Sequence, residues 1–192
     1  MQFFTDFADQ AVILPLLVAV AAVLLVQGRR RAAFAWTVAV PGTLGATLVA
    51  KMLTFACGWM VPAVAAFDLR SPSGHTAAAT VAYATLTMLL GMRPRWAVAG
   101  AVVIAVVVAM SRLTLAYHTR ADVVVGGVIG VGGAVVSALL MGARPPSWRS
   151  WPLAIVVVLV LGVMHGRHLH AEEVIRDKGW LYRIPLLSAC KP

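Results

Sequence analysis

The chain has 192 residues, of which 61% are hydrophobic and 12% charged, and its mean hydropathy is +0.89. A soluble domain carries roughly twice that charged fraction, so the composition excludes a soluble enzyme and predicts one integral membrane domain over residues 1–192. The net charge of +9 comes from short basic clusters between apolar runs. This pattern favours membrane lipids and a lipid phosphate substrate as partners, and not nucleic acid.

Six apolar segments follow one another along the chain. They run over about 11–27, 32–52, 75–92, 96–110, 121–141 and 151–166. Backbone groups inside lipid have to be hydrogen-bonded internally, so helices are the expected form. The sequence therefore predicts an all-α, polytopic membrane helix bundle of about six transmembrane helices. The fourth and sixth segments are short for a span unless their polar flanks extend them.

The two ends of the chain carry different signals. No basic region precedes the first apolar segment, and we expect no cleavable signal peptide. The C-terminal tail holds a group of histidines and glutamates: His165, His168, His170, Glu172 and Glu173. A metal site is one interpretation of this group, but a helix end in water explains it better.

The fifth segment is unusually rich in glycine. Its glycines are Gly126, Gly127, Gly130, Gly132 and Gly133. Small residues three or four apart let helix backbones approach closely, so we expect this segment at the centre of the bundle.

Basic residues predict the orientation of the segments. The connections after the first, third and fifth segments carry arginines 29–31, 93, 95, 144 and 149, which places them on the cytoplasmic face. The remaining connections and both termini then face outward. The basic tail conflicts with this placement unless the sixth segment does not cross. Cys57 and Cys190 share a side in this topology, and a disulfide between them is a hypothesis if that side is periplasmic.

Ionisable residues of the interior gather at the connections predicted to face outward. They are Lys51, Arg70, His75, Arg112, His118, Arg120 and Asp122. Ionisable groups at membrane depth are costly and usually mark a functional site. These residues come from three separate places in the chain, and their predicted meeting at one face strengthens that interpretation.

These residue types fit a phosphate site. Ser71, Ser73 and Gly74 precede an apolar helix, so a serine can cap it while the glycine lets an oxyanion approach free N–H groups. Lysine and arginine side chains supply cations, and an arginine can hold two phosphate oxygens at once. For Arg70 and Arg120, interaction with lipid headgroups is an equally good interpretation.

A histidine pair completes the pattern. His118 and Asp122 are four residues apart, and on one helix face the carboxylate would orient the imidazole as a nucleophile toward phosphorus. His75, on another helix, would protonate the leaving oxygen. No cluster of carboxylates offers a two-metal site, so we expect neither metal nor other cofactor.

Two motifs resemble a known family. Pro72-Ser73-Gly74-His75 and Ser111-Arg112-x5-His118-x3-Asp122 are similar to the second and third signature motifs of the type 2 phosphatidic acid phosphatase superfamily. These membrane lipid phosphate phosphatases share a fold with vanadium haloperoxidases. The matching stretch covers about 51–142, nearly half of the chain, and is the expected catalytic core.

The resemblance implies a role for each matched residue. His118 would form a phosphohistidine with Asp122 as its partner, and His75 would be the general acid. The phosphate would be bound by Lys51, Ser73, Gly74 and Arg112, with no metal.

The chain departs from the family pattern in two places. The first motif is a lysine, six residues, then Arg-Pro, but here Gly58 and Trp59 stand at the last two positions. We predict that Arg70, or with weaker support Arg120, supplies the missing charge. The family also commonly has two helices before the motif lysine, whereas this chain has one and adds an apolar segment at its C-terminus.

The sequence thus predicts a metal-independent phosphatase that hydrolyses a lipid phosphate or diphosphate at the outer face of a bacterial-type inner membrane. Phosphatidic acid, phosphatidylglycerol phosphate, polyprenyl diphosphate and lipid A phosphates are open as substrate types. The alternatives are a lipid phosphotransferase using the same histidine and a non-catalytic protein that binds or transports anionic lipids. The missing first-motif arginine favours the non-catalytic alternative, while the His118–Asp122 pair argues against it.

Overall fold

The computed structural model describes residues 2–58, 62–142, 149–169 and 182–190. Within these ranges the chain is helical and contains no strand, which confirms the all-α prediction. The six long helices are α2 (Gln10–Val26), α3 (Arg30–Cys57), α5 (Gly74–Leu90), α6 (Pro94–Thr114), α7 (Arg120–Met141) and α8 (Trp151–Met164). The short helices are α1 (Gln2–Asp6), α4 (Pro62–Ala66) and α9 (Pro185–Ser188).

Each long helix corresponds to one predicted segment, with shifted ends. Helix α6 begins with Pro94 in its first turn and has 21 residues, so its polar flanks do extend the fourth segment. Helix α3 continues through Pro41 and past Lys51 to Cys57. Lys51 therefore lies inside a helix and not at its end. Helix α8 has 14 residues and remains short.

The helix surfaces are those of a membrane protein. Helices α3, α6 and α7 are long and apolar enough to cross a bilayer, and α2 and α8 are shorter apolar helices. Large apolar side chains are exposed on several helices, among them Val18, Val103, Val124 and Val158. Hydrocarbon is the solvent in which such a surface is stable.

Helix α7 packs closely against α3 and α5, as its glycines predict. A Cβ on Gly130 would lie 2.7 Å from the Thr80 Cβ, and one on Gly133 would overlap the Thr43 hydroxyl. These close approaches confirm the central place of the fifth segment.

Helices α2 and α8 complete the bundle beside α3. Trp36 is fully buried there among Leu16, Leu24 and Leu153, and its indole Nε1 donates to the Leu17 carbonyl at 2.9 Å. The indole thus fills the space between helices while its one polar group is satisfied.

The C-terminal residues return to the end of α3. Cys57 and Cys190 form a disulfide with a Cα–Cα distance of 5.0 Å, which confirms that hypothesis. Leu187 of α9 packs against Ala56. Residues 182–190 therefore lie at the end of the bundle where α3 ends and α5 begins. Of the sequence features discussed above, Trp59, Arg144, His170, Glu172 and Glu173 lie outside the described residues.

Candidate active site

The start of α5 is built as the motif predicts. Ser73 is the N-cap: its Oγ accepts from the Thr76 backbone N–H at 3.4 Å and from the Thr76 hydroxyl at 2.9 Å. Ser73 is fully buried. Gly74 is the first helical residue, and a Cβ there would lie 3.5 Å from the Lys51 Cε. The helix N-terminus and the Lys51 side chain are thus direct neighbours.

Lys51 is a buried cation held by the loop before α5. Its side chain leaves α3 two turns before the helix ends, and the residue is 6% exposed. The Nζ ammonium donates to the Ser71 Oγ at 3.0 Å. A lysine buried in this way is stable when polar or anionic groups surround it.

His118 and Asp122 form the predicted pair. The His118 Nδ1 lies 3.4 Å from the Asp122 Oδ2, and the two side chains are 2% and 3% exposed. The His118 Nε2 is buried and has no hydrogen-bond partner among the residues that the structure describes. The carboxylate therefore fixes one ring nitrogen and leaves the other for chemistry.

The pair is positioned differently from the sequence expectation. Helix α7 begins at Arg120 with Thr119 as its N-cap, so His118 precedes the helix and does not share a helical face with Asp122. A capping box brings them together instead: the Thr119 Oγ1 accepts from the Asp122 N–H, while the Asp122 carboxylate accepts from the Thr119 N–H. The spacing Thr119-x-x-Asp122 is a recognisable sequence signal for this motif.

Asp122 also binds the loop that carries the α5 motif. Its Oδ1 accepts from the backbone N–H groups of Arg70 at 2.9 Å and Ser71 at 2.7 Å. The Ser73 N–H donates to the Asp122 carbonyl at 2.9 Å. One aspartate therefore holds the nucleophile candidate and the phosphate-loop candidate in register, a role that sequence reasoning missed.

Arg112 occupies the last turn of α6 and is 6% exposed. Its guanidinium carbon lies 4.5 Å from the centroid of the Tyr117 ring. Such a cation–π contact orients the planar guanidinium. Tyr117 was not among the predicted site residues.

Arg70 and Arg120 differ from the buried cations. The Arg70 side chain is 73% exposed, and its Nε donates to the Asp68 carboxylate at 2.8 Å. This hydrogen bond and the negative charge of Asp68 raise the pKa of Arg70. Arg120 is exposed at the first position of α7. Phosphate binding by either residue stays a prediction.

His75 has a carboxylate partner that the sequence did not indicate. Its Nε2 lies 3.5 Å from the Oδ2 of Asp9, a residue that caps α2. Burial raises the pKa of Asp9, but hydrogen bonds from His75 and from the backbone of Ala11 and Leu169 outweigh it and hold that pKa below its ordinary value. An aspartate before an apolar run predicts a cap, but nothing in the sequence connects Asp9 to His75.

The tail histidines also contact the N-terminal segment. His165 and His168 follow the end of α8, and the His165 ring lies against the rings of Phe3 and Phe7. The His168 Nδ1 lies 3.4 Å from the Asp9 Oδ2. The sequence expectation of a solvated helix end missed this packing.

Fold and site together define a helical membrane protein with two histidines, each beside a carboxylate, and two buried cations at one end of the bundle. A sequence model of the PAP2 superfamily matches residues 53–146. This match, over nearly half of the chain, supports membership of the superfamily that the motifs resemble. Members are generally phosphatases, and membership supports action on a phosphate ester. Lys51 lies just before the matched range, and the other predicted site residues lie within it.

A relative from Klebsiella pneumoniae extends the similarity beyond this range. It is described as an uncharacterized 22.5 kDa protein in cps region and is 28% identical over 172 residues, covering 83% of this chain and 81% of its own. No solved structure matches the chain.

Proposed function

We propose that the protein is a metal-independent phosphatase that hydrolyses a lipid phosphate or diphosphate through a phosphohistidine on His118. The observation that carries the proposal is the His118–Asp122 pair, in which Nδ1 faces the carboxylate and Nε2 has no partner among the described residues. A histidine with one ring nitrogen beside a carboxylate and the other nitrogen available can act as a nucleophile toward phosphorus.

The proposed first step transfers the phosphoryl group to the protein. The lone pair of His118 Nε2 attacks phosphorus, a P–N bond forms, and the bond from phosphorus to the leaving oxygen breaks. His75 gives a proton to that oxygen, so that the lipid product leaves as a neutral hydroxyl or a protonated phosphate. Asp122 stays ionised and stabilises the positive charge on His118.

The proposed second step regenerates the protein. His75, now neutral, takes a proton from a water molecule, and the water oxygen attacks phosphorus. The P–N bond breaks, inorganic phosphate is released, and His118 and His75 return to their starting states. An acceptor alcohol in place of water would make the protein a phosphotransferase.

Buried positive charge supports the phosphate in both steps. The proposed ligands are Lys51, Arg112, the Ser73 hydroxyl and the backbone N–H group of Gly74 at the start of α5. Such donors stabilise charge that develops on the phosphoryl oxygens. Arg70 and Arg120 are proposed as weaker, peripheral contributors, and Arg70 remains the candidate for the missing first-motif charge.

Charge at the two ends of the bundle supports an outward-facing site. The opposite end carries Arg29, Arg30, Arg31, Arg93 and Arg95 and is assigned to the cytoplasm by the distribution of basic residues. The Cys57–Cys190 disulfide lies at the site end and fits an oxidising compartment such as the periplasm. We therefore place the protein in a bacterial-type inner membrane, where the lipid tail of the substrate can stay in the bilayer.

Phosphate release by purified protein tests the proposal. Protein in detergent with EDTA is offered phosphatidic acid, phosphatidylglycerol phosphate and a polyprenyl diphosphate. We expect release from at least one of them, a loss of at least about 100-fold in His118→Ala and His75→Ala, and no loss from EDTA. Arg95→Ala, at the opposite end of the bundle, is the control variant and is expected to keep wild-type release.

The outcomes separate the alternatives. Release that survives His118→Ala contradicts the phosphohistidine mechanism. No release from any lipid, with transfer to an added alcohol, identifies a phosphotransferase. Neither release nor transfer, with binding of the lipids retained, identifies a binding or transport protein.

A further inference from the structure

The N-terminal segment places a buried carboxylate beside His75. Asp9 is 4% exposed, and its Oδ1 accepts from the N–H groups of Ala11 at 2.8 Å and Leu169 at 3.1 Å. The Oδ2 lies 3.5 Å from the His75 Nε2 and 3.4 Å from the His168 Nδ1. One carboxylate thus stands between two imidazoles, each from a different part of the chain.

Contacts from three helices hold this segment against the bundle. The Tyr83 hydroxyl of α5 donates to the Phe7 carbonyl at 2.6 Å. The hydroxyls of Thr5 and Ser111 are hydrogen-bonded to each other, next to Arg112 on α6. The rings of Phe3 and Phe7 pack on His165 at the end of α8. Because these contacts fix the segment that carries Asp9, the Asp9 carboxylate can hold the His75 ring in one orientation.

We propose that Asp9 is a positioning residue for His75, so that each histidine of the site has its own carboxylate: Asp122 for His118 and Asp9 for His75. This inference rests on the proposed function and extends it to a segment outside the family match at 53–146. The Asp9 carboxylate accepts a hydrogen bond from the His75 Nε2–H and stabilises the imidazolium. The proton on Nδ1 then passes to the leaving oxygen, and the neutral ring keeps its Nε2–H on Asp9.

Other charged groups at this end of the bundle share the electrostatic environment of His75. They are Asp6 of α1, Lys51 of α3, Arg112 of α6, His118 and Asp122 around the start of α7, and His168 of the tail. The Asp6 Oδ1 lies 3.7 Å from the His168 Nε2. Among the described residues, no group of three or more His, Cys, Asp or Glu is arranged to hold a metal ion. A charge-pairing role for Asp9 therefore fits this cluster better than metal binding.

The variant Asp9→Asn tests the role of the charge. Asparagine also caps helices well, so the start of α2 is retained while the negative charge is removed. With the full chain in detergent, we expect kcat for the lipid phosphate to fall about 10- to 100-fold while KM changes less than about 3-fold. The alkaline limit of the kcat profile moves to lower pH, because the imidazolium has lost its stabilising charge. Asp9→Glu keeps the negative charge and is therefore expected to have a kcat between those of Asp9→Asn and the wild type.

Two further arms make the test specific. An aryl phosphate has a leaving group that needs little protonation, so Asp9→Asn slows its hydrolysis far less than that of the lipid. Asp6→Asn is the matched control, an equal loss of charge in the same segment without a contact to His75, and it is expected to move the pH profile far less than Asp9→Asn. An Asp9→Asn protein with wild-type kcat and profile overturns the role of Asp9 and leaves the proposed function intact.

An NMR titration, which does not depend on enzyme activity, separates failure of the Asp9–His75 pair from failure of the proposed function. Histidine-labelled protein is followed by NMR, with His75→Gln used to assign the signal. We expect the His75 ring in Asp9→Asn to lose its charge at lower pH than in the wild type. That shift in a protein without phosphatase activity retains the Asp9–His75 pair and overturns the proposed function. Identical titrations of the two proteins overturn the pair.

Discussion

At the residue scale, each histidine of the candidate site lies beside a carboxylate, His118 beside Asp122 and His75 beside Asp9. His75, Arg112, His118 and Asp122 follow from motif spacing. Their supports come from distant positions, as with Asp9, 66 residues before His75 in the numbering. A contact of that kind depends on helix packing, which local spacing does not encode.

Arg112 provides the sharpest residue-scale prediction. A lysine there keeps the charge but loses the planar fork that stacks on Tyr117 and that, in the proposed function, binds two phosphate oxygens. We expect Arg112→Lys to lower kcat/KM for the lipid phosphate by roughly 10- to 100-fold, on the basis of about 1.5–3 kcal/mol for a hydrogen bond to a charged group.

A matched control lies on the same helix. Arg95 stands over the Trp96 ring at the other end of α6, with its guanidinium carbon 5.5 Å from the ring centroid. Arg95→Lys makes the same chemical change away from the site and is expected to keep wild-type kcat/KM. Equal effects of the two substitutions would remove Arg112 from the proposed phosphate ligands.

At the element scale, the number and order of the long helices could be predicted because hydropathy determines them. The exact first residue of each helix could not be predicted, because it depends on capping. Helix α7 starts two residues after His118, and this start decides that a capping box, and not a helical face, pairs His118 with Asp122. The glycines of α7 were correctly predicted to pack against other helices. The sequence did not show which residues of α3 and α5 they would contact.

Gly126 is the glycine of α7 that touches the site. A Cβ at this position would overlap the Ser73 carbonyl oxygen and would lie 3.2 Å from the Ser73 Cβ. Gly126→Ala is therefore expected to push α7 away from the phosphate loop. Thermal unfolding in detergent should show a loss of about 1–3 kcal/mol, together with reduced phosphate release.

Gly132 is the internal control for that substitution. A Cβ there would meet nothing within 4 Å. Gly132→Ala should leave activity unchanged and raise stability by up to roughly 1 kcal/mol, the usual gain for alanine over glycine in a helix. A Gly126→Ala protein as stable and active as Gly132→Ala would contradict the close approach of α7 to Ser73.

At the scale of the whole molecule, the described residues nearest the two chain ends lie at the end of the bundle that carries the candidate site. Residues 182–190 reach it through the Cys57–Cys190 disulfide, and the N-terminal segment reaches it through Asp9 and Thr5. The described part of the tail lies on the same side of the bundle as the candidate site. The conflict between the basic tail and the predicted outward side therefore stays, and the orientation of the bundle remains a prediction.

The central claim is that His118 carries the phosphoryl group, and trapping that intermediate tests it most directly. Protein is mixed with lipid substrate labelled in its terminal phosphate, quenched in alkali within the first turnover, digested and sequenced by mass spectrometry. We predict an acid-labile, alkali-stable phosphate on His118, absent from His118→Ala and retained for longer in His75→Ala when an aryl phosphate supplies the label. Turnover of the lipid without label on His118, or with label on another residue, would contradict it.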